Sequence, residues 1–247
     1  MHPTLKRKLF PVILFAIIAL TTLACYTTDL PENFFSNATP TPLPPLRVSS
    51  PPAGFLGDYT YQRQYPDGRN ESGSLSISAF SKGYRFDWAA DNAAESGMAL
   101  LKDRILGVAI GNKCALTYYQ RYDNGTLVGI WMGWDEYPGP ETATPYGFWQ
   151  NDYSGEYGIN GLYRDRSVYS GSLNINRVSQ VYELFWDMDD SDDFYGVGLV
   201  KDNKLVSVYG SDDCKIMLYE IQSNGSLKGT FASTGSQETG SETAQKY

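Results

Sequence analysis

Asn124-Gly125-Thr126-Leu127-Val128-Gly129-Ile130-Trp131 and Asn224-Gly225-Ser226-Leu227-Lys228-Gly229-Thr230-Phe231 are two copies of one pattern. Each opens on Asn-Gly, which tolerates φ > 0 at both central positions of a tight hairpin turn. Each then sets Leu127, Gly129 and Trp131, or Leu227, Gly229 and Phe231, on one face of an alternating stretch. That period of two belongs to a strand with one side turned inward. Glycine between two large residues suits a strand that bends or lets a neighbour approach closely.

The duplication extends outward from these stretches. Gly57-Asp58-Tyr59 matches Gly155-Glu156-Tyr157, and Gly73-Ser74-Leu75 matches Gly171-Ser172-Leu173. Tyr84 and Trp88 match Tyr182 and Trp186; Cys114 and Tyr119 match Cys214 and Tyr219. Gly139-Pro140-Glu141-Thr142-Ala143 matches Gly240-Ser241-Glu242-Thr243-Ala244. A repeat of about 100 residues duplicates a whole domain, because solenoid repeats run about 20–50. Positions shared by both copies (Tyr84, Trp88, Cys114, Gly129, Trp131, Tyr182, Trp186, Cys214, Gly229 and Phe231) read as structural, with ligand contact the alternative for Trp88 and Trp186.

Within each copy, short runs rich in Tyr, Val, Ile, Leu and Thr alternate with turn clusters such as Pro66-Asp67-Gly68 and Lys201-Asp202-Asn203. This is an all-β pattern. Tyr84, Phe86 and Trp88 share a face, with Arg85 and Asp87 opposite. About eight antiparallel strands per copy, joined by short sequential connections, predict two tandem up-and-down β-barrels that hide their own edges. The expected domains are residues 53–144 and 153–247, with 145–152 as a short linker between them.

The order G-x-Y, S-G-x-L-x-I, Y-x-x-x-W, Cys-Tyr strand, N-G-x-L-x-G-x-(W/F), G-x-E-T resembles a family of exported bacterial β-domains, often found in tandem. The resemblance covers both copies and implies export and the β fold; no activity transfers with it. Leu127–Trp131 and Leu227–Phe231 are also loosely similar to a strand of avidin-type and other calycin-like barrels, and no biotin-contacting residue carries over.

The N-terminus reads as a targeting segment. Lys6-Arg7-Lys8 precedes the apolar stretch Leu9–Leu20, which ends in Thr22-Leu23-Ala24-Cys25. Small residues before a Cys resemble a bacterial lipobox, so 1–24 is expected to be removed and Cys25 to carry lipid, anchoring the chain on the extracytoplasmic side of a membrane. Thr22 departs from the usual Leu. Residues 25–52 hold Pro31, Pro40, Pro42, Pro44, Pro45, Pro51 and Pro52 and read as an extended tether.

The formal charge is −8, and it falls to −11 once Lys6, Arg7 and Lys8 leave with the leader. An acidic surface argues against nucleic acid as a partner. The single histidine is His2, so the exported part has none. That excludes Ser-His-Asp and Cys-His centres and His-ligated zinc. The expectation is a non-catalytic, membrane-tethered binding module for a glycan, protein or small ligand. A structural or scaffold role in the envelope is the alternative, and a carboxylate-based hydrolase the remote one.

Two candidate sites emerge. Trp134, Tyr137, Tyr146, Phe148 and Trp149 cluster between the copies as interdomain packing or a binding surface. Asp187, Asp189, Asp190, Asp192 and Asp193 form an acidic loop, read as solvated or as a weak Ca²⁺ site. No other cofactor is expected. Cys114 and Cys214 are expected as two buried thiols, one per domain; a bridge between them would have to join the domains.

Overall fold

The computed structural model describes residues 44–91, 93–133, 138–147, 152–189, 192–210 and 213–247. Cys25 and the expected leader, residues 1–24, lie outside the described residues. Sixteen strands follow in order: β1 (Gly57–Gln64), β2 (Asn70–Phe80), β3 (Gly83–Ala90), β4 (Ala93–Lys102), β5 (Ile105–Ile110), β6 (Ala115–Arg121), β7 (Leu127–Met132) and β8 (Gly139–Pro145), then β9 (Gly155–Leu162), β10 (Val168–Val178), β11 (Val181–Met188), β12 (Phe194–Lys201), β13 (Lys204–Tyr209), β14 (Lys215–Ile221), β15 (Leu227–Ser233) and β16 (Gly240–Lys246). They close into two antiparallel barrels of eight strands each. Among the described residues no helix is long and apolar enough to cross a membrane.

Alternation sets the interiors as the sequence implies. Tyr84, Phe86 and Trp88 are buried in the first barrel, and Tyr182, Leu184 and Trp186 in the second. Gly129 and Gly229 are required by close approach: a Cβ at either would overlap the ring of Tyr119 or Tyr219 on the neighbouring strand. An aromatic residue stops one end of each barrel. Phe55 packs edge-on to Tyr84 at 5.1 Å, and its carbonyl accepts the Tyr59 hydroxyl. Tyr153 does the same against Tyr182 and Tyr157.

The barrels are not the contiguous units expected from the repeat. The first runs β1 to β5 and then β14 to β16, with β5 paired to β14 and β16 closing on β1. The second is β6 to β13, with β13 closing on β6. Each copy therefore gives its last three strands to the other barrel. The chain passes to the second barrel after β5 and returns to the first after β13. The supposed linker 145–152 instead spans part of the join between β8 and β9, neighbouring strands of the second barrel.

Gly111 and Gly210, with φ of 123° and 141°, begin the two crossings. A Cβ on Gly111 would lie 2.8 Å from Cys114 Sγ, and one on Gly210 2.5 Å from the Lys113 carbonyl oxygen. These are positions only glycine fills without strain. The crossings bring Cys114 and Cys214 together as a disulfide, with Cα atoms 5.7 Å apart. The expected pair of separate thiols is thereby corrected, because the exchange places both cysteines at one seam.

The seam explains why alternation fades in the middle strands. All six residues of β5 are buried. The inward residues of β4, β5, β6, β12, β13 and β14 serve the barrels, while outward ones such as Met98, Leu100, Leu116, Val206 and Ile216 form a third core. Strands covered on both faces read as continuous apolar runs. Leu46 packs on this third core, and Ser49 bonds to Leu101 and Asp103, so the last part of the Pro-rich segment is seated on the protein.

Candidate functional site

The ladders align the two barrels position by position. Glu242 on β16 sits opposite Arg63 on β1, and Glu141 on β8 sits opposite Gly161 on β9. Arg63 also faces Glu71, while Gly161 faces Tyr169. Trp88 faces Glu95, while Trp186 faces Phe194. Phe231 and Trp131 face Gly240 and Gly139. The same interior height thus holds Arg63, Glu71, Glu95 and Phe231 in one barrel, and Gly161, Tyr169, Phe194 and Trp131 in the other.

In the first barrel this height is filled. Arg63 is 3% exposed. Its Nε donates to Glu242 Oε2 at 2.6 Å and its Nη1 to Glu95 Oε2 at 2.7 Å and Glu71 Oε1 at 3.4 Å. Its guanidinium carbon lies 5.4–6.0 Å from the ring centres of Tyr61, Tyr65, Trp88 and Phe231. Trp88 Nε1 and the Tyr219 hydroxyl complete the shell of Glu242. Burial alone disfavours the Arg63 charge, but Glu242, with hydrogen bonds to Tyr65 and Glu95, more than offsets it and holds the pKa above its ordinary value.

In the second barrel the height is open. A cavity of about 260 Å³ is lined by Trp131, Tyr163, Tyr169, Trp186, Phe194 and Tyr209. Met188 flanks it, and the Glu141 carboxylate is its acidic group. Glu141 is 5% exposed and accepts the Tyr119 hydroxyl and the Tyr169 hydroxyl, the latter at 2.5 Å. Trp186 Nε1 donates to the Tyr119 oxygen at 3.4 Å. Among the described residues no cation stands where Arg63 stands in the first barrel, because Gly161 has no side chain and the Tyr169 ring lies over it. Trp131 Nε1, in the cavity wall, is buried with no hydrogen-bond partner.

Burial lifts the pKa of Glu141 above its ordinary value, and hydrogen bonding with Tyr119, Tyr169 and Trp186 pulls it back only in part. Burial, and next the Glu141 charge, raise both hydroxyl pKa values, so these tyrosines remain donors. A carboxyl with a raised folded pKa gives stability that is complete below its unfolded pKa and is lost as pH rises through the folded one. Wild type should therefore lose stability relative to Glu141→Gln as pH climbs above the ordinary value of 4.5. Urea unfolding of the two chains at pH 4, 5.5 and 7 checks this; a difference that does not change with pH refutes it.

The cavity was not found by the sequence reading. Trp131 appeared there as a shared structural position, and Trp186 as core packing with ligand contact as the alternative. The informative signal was present, since interior positions that differ between copies, such as Arg63 against Gly161, mark where one barrel does something the other does not. Tyr146, from the expected aromatic surface, is 63% exposed and follows β8 at the end away from the cavity. Trp134, Tyr137, Phe148 and Trp149 lie outside the described residues, as does Asp190. Asp187, Asp189, Asp192 and Asp193 do not gather into a ligating group among the described residues. The ligating atoms that do gather belong to Cys114, Asp213 and Cys214, and both sulfurs are committed to the disulfide. The chain matches no protein-family model, no curated protein and no solved structure.

Proposed function

We propose that the chain is a non-catalytic, lipid-anchored extracytoplasmic protein that binds a small ligand in the mouth of its second barrel. The observation that carries this reading is the aromatic cavity with Glu141 in its wall and an unpartnered Trp131 N–H beside it. Mostly aromatic concavities with a few convergent polar groups are the usual form of a small-molecule site. At about 260 Å³ the space is somewhat below the usual range of roughly 300–1,000 Å³, so the ligand, or the part recognised, is small. Glu141 is the one carboxylate among the described lining residues, which leaves paired-carboxylate hydrolysis without its second group there. Cys25 and the Pro-rich segment supply the anchor and tether in this reading.

Native mass spectrometry of the full chain, extracted in detergent from its own membrane, tests the binding. The expected result is an added mass that disappears in Trp131→Ala. A bare mass in wild type, together with unchanged tryptophan fluorescence across a small-molecule set, overturns it. The anchor is tested separately: Cys25→Ala should move the chain to the soluble fraction, and continued membrane retention refutes lipidation at this residue.

A further inference from the structure

We infer that the ligand of the second barrel is a small organic cation, bound as the first barrel binds its own Arg63 guanidinium. This rests on the cavity being a binding site and adds the chemical class of its occupant. The first barrel shows what this interior accepts at that height. Arg63 is surrounded by Tyr65, Trp88 and Phe231 and pairs with Glu242. The ladder and repeat equivalents in the second barrel are Tyr163, Trp186, Trp131 and Glu141, and all four line the cavity. Aromatic faces with an acidic group are the general chemistry for guanidinium and alkylammonium heads.

The differences between the barrels support the same occupant. A buried carboxylate is ordinarily paired with a cation. Glu242 has one within the chain, whereas the donors to Glu141 among the described residues are the neutral Tyr119, Tyr169 and Trp186. Glu71 and Glu95, which bind the outer edge of the Arg63 guanidinium, become Tyr169 and Phe194. Those changes add ring surface and leave Glu141 as the one carboxylate among the described lining residues, so the cavity offers a single acidic group to a single cationic head. At the rim, the end of β11 and the residues between it and β12 carry exposed Asp187, Asp189, Asp192 and Asp193, adjoining in sequence the lining residues Met188 and Phe194. A negative rim raises the local concentration of a cation and excludes anions.

The probe pair is n-butylguanidinium and its neutral isostere n-butylurea, titrated calorimetrically into the detergent-purified full chain. The expected result is at least about tenfold tighter binding of the guanidinium, a ratio that collapses towards one in Glu141→Gln. A chain carrying Gly161→Arg with Tyr169→Glu and Phe194→Glu rebuilds the first barrel's arrangement and should bind neither compound. Equal or tighter binding of the urea overturns the inference, as does a ratio that Glu141→Gln leaves unchanged. Absence of guanidinium binding up to about 10 mM also overturns it. If Glu141→Gln fails to fold, the wild-type ratio alone decides. Failure of the cation assignment is distinguishable from failure of the site: an added native mass that Trp131→Ala removes would keep the site and reject the cation.

Discussion

Arg63→Ala should lower the unfolding free energy by about 3–5 kcal/mol at pH 7, the cost of leaving a buried ionic partner uncompensated. The side chains of Arg63 and Glu242 are 2% and 0% exposed, so water cannot replace the lost guanidinium at Glu242. Glu95 and Glu71 lose the same partner, although Lys215 still reaches Glu95. Burial already pulls Glu242 towards its neutral form and Arg63 is the strongest opposing influence, so removing Arg63 raises the Glu242 pKa further. By the linkage rule for a raised carboxyl, the variant is least impaired at low pH and worsens as pH rises above the ordinary value of 4.5. Arg63 itself, with a raised pKa, contributes fully throughout this range. The double change Arg63→Met with Glu242→Gln should recover most of the loss, because a buried pair replaced by well-packed neutral groups is often near neutral. Urea unfolding at pH 4 and pH 7 separates these cases. A loss below about 1 kcal/mol for Arg63→Ala would mean the pair is hydrated or dispensable.

The all-β class, the two eight-stranded barrels and most strand positions were legible because the copies repeat both turns and alternation. Asn124-Gly125 and Asn224-Gly225 mark the same turn, and Leu127, Gly129 and Trp131 the same inward face as Leu227, Gly229 and Phe231. The exchange of strands was not legible, and the duplication is the reason. β6 and β14 are equivalent strands, so β5 meets a closely similar inward pattern with either one: Tyr119 and Tyr219 both pack across a glycine of the next strand. Local pattern cannot choose between partners that present the same face. What betrays the exchange is the outward side, where Met98, Leu100, Ala109, Leu116 and Ile216 are apolar without need if each barrel stands alone. The site was hidden for the opposite reason. Its residues come from the ends of seven strands, β7 to β13, spread from Trp131 to Tyr209, and no short motif contains them.

Reduction of the Cys114–Cys214 bridge should lower stability by about 2–4 kcal/mol, and unequally across the molecule. The bridge joins residues 100 apart in sequence, and the chain it closes is the whole of β6 to β13. In the chain-entropy account a loop of that length is worth about 4.7 kcal/mol, with measured values commonly lower. The second barrel is one continuous stretch that closes on itself through β13 and β6, so it keeps its closure when the bridge opens. The first barrel is interrupted by that stretch and depends on β14 returning to β5 after the second crossing. The bridge fixes the start and end of the interruption side by side, which holds β14 to β16 near their partners before they pair. Hydrogen exchange on oxidised and reduced wild type should therefore show the larger loss of protection in β5 and β14 to β16, with β7 to β11 changed least. Using wild type in both states avoids the cavity that a Cys→Ala change would leave at this buried seam. Equal loss in both barrels would mean that the three cores unfold as one unit and the bridge acts on the whole. No loss in either would mean that the apolar seam alone holds the exchanged strands in place.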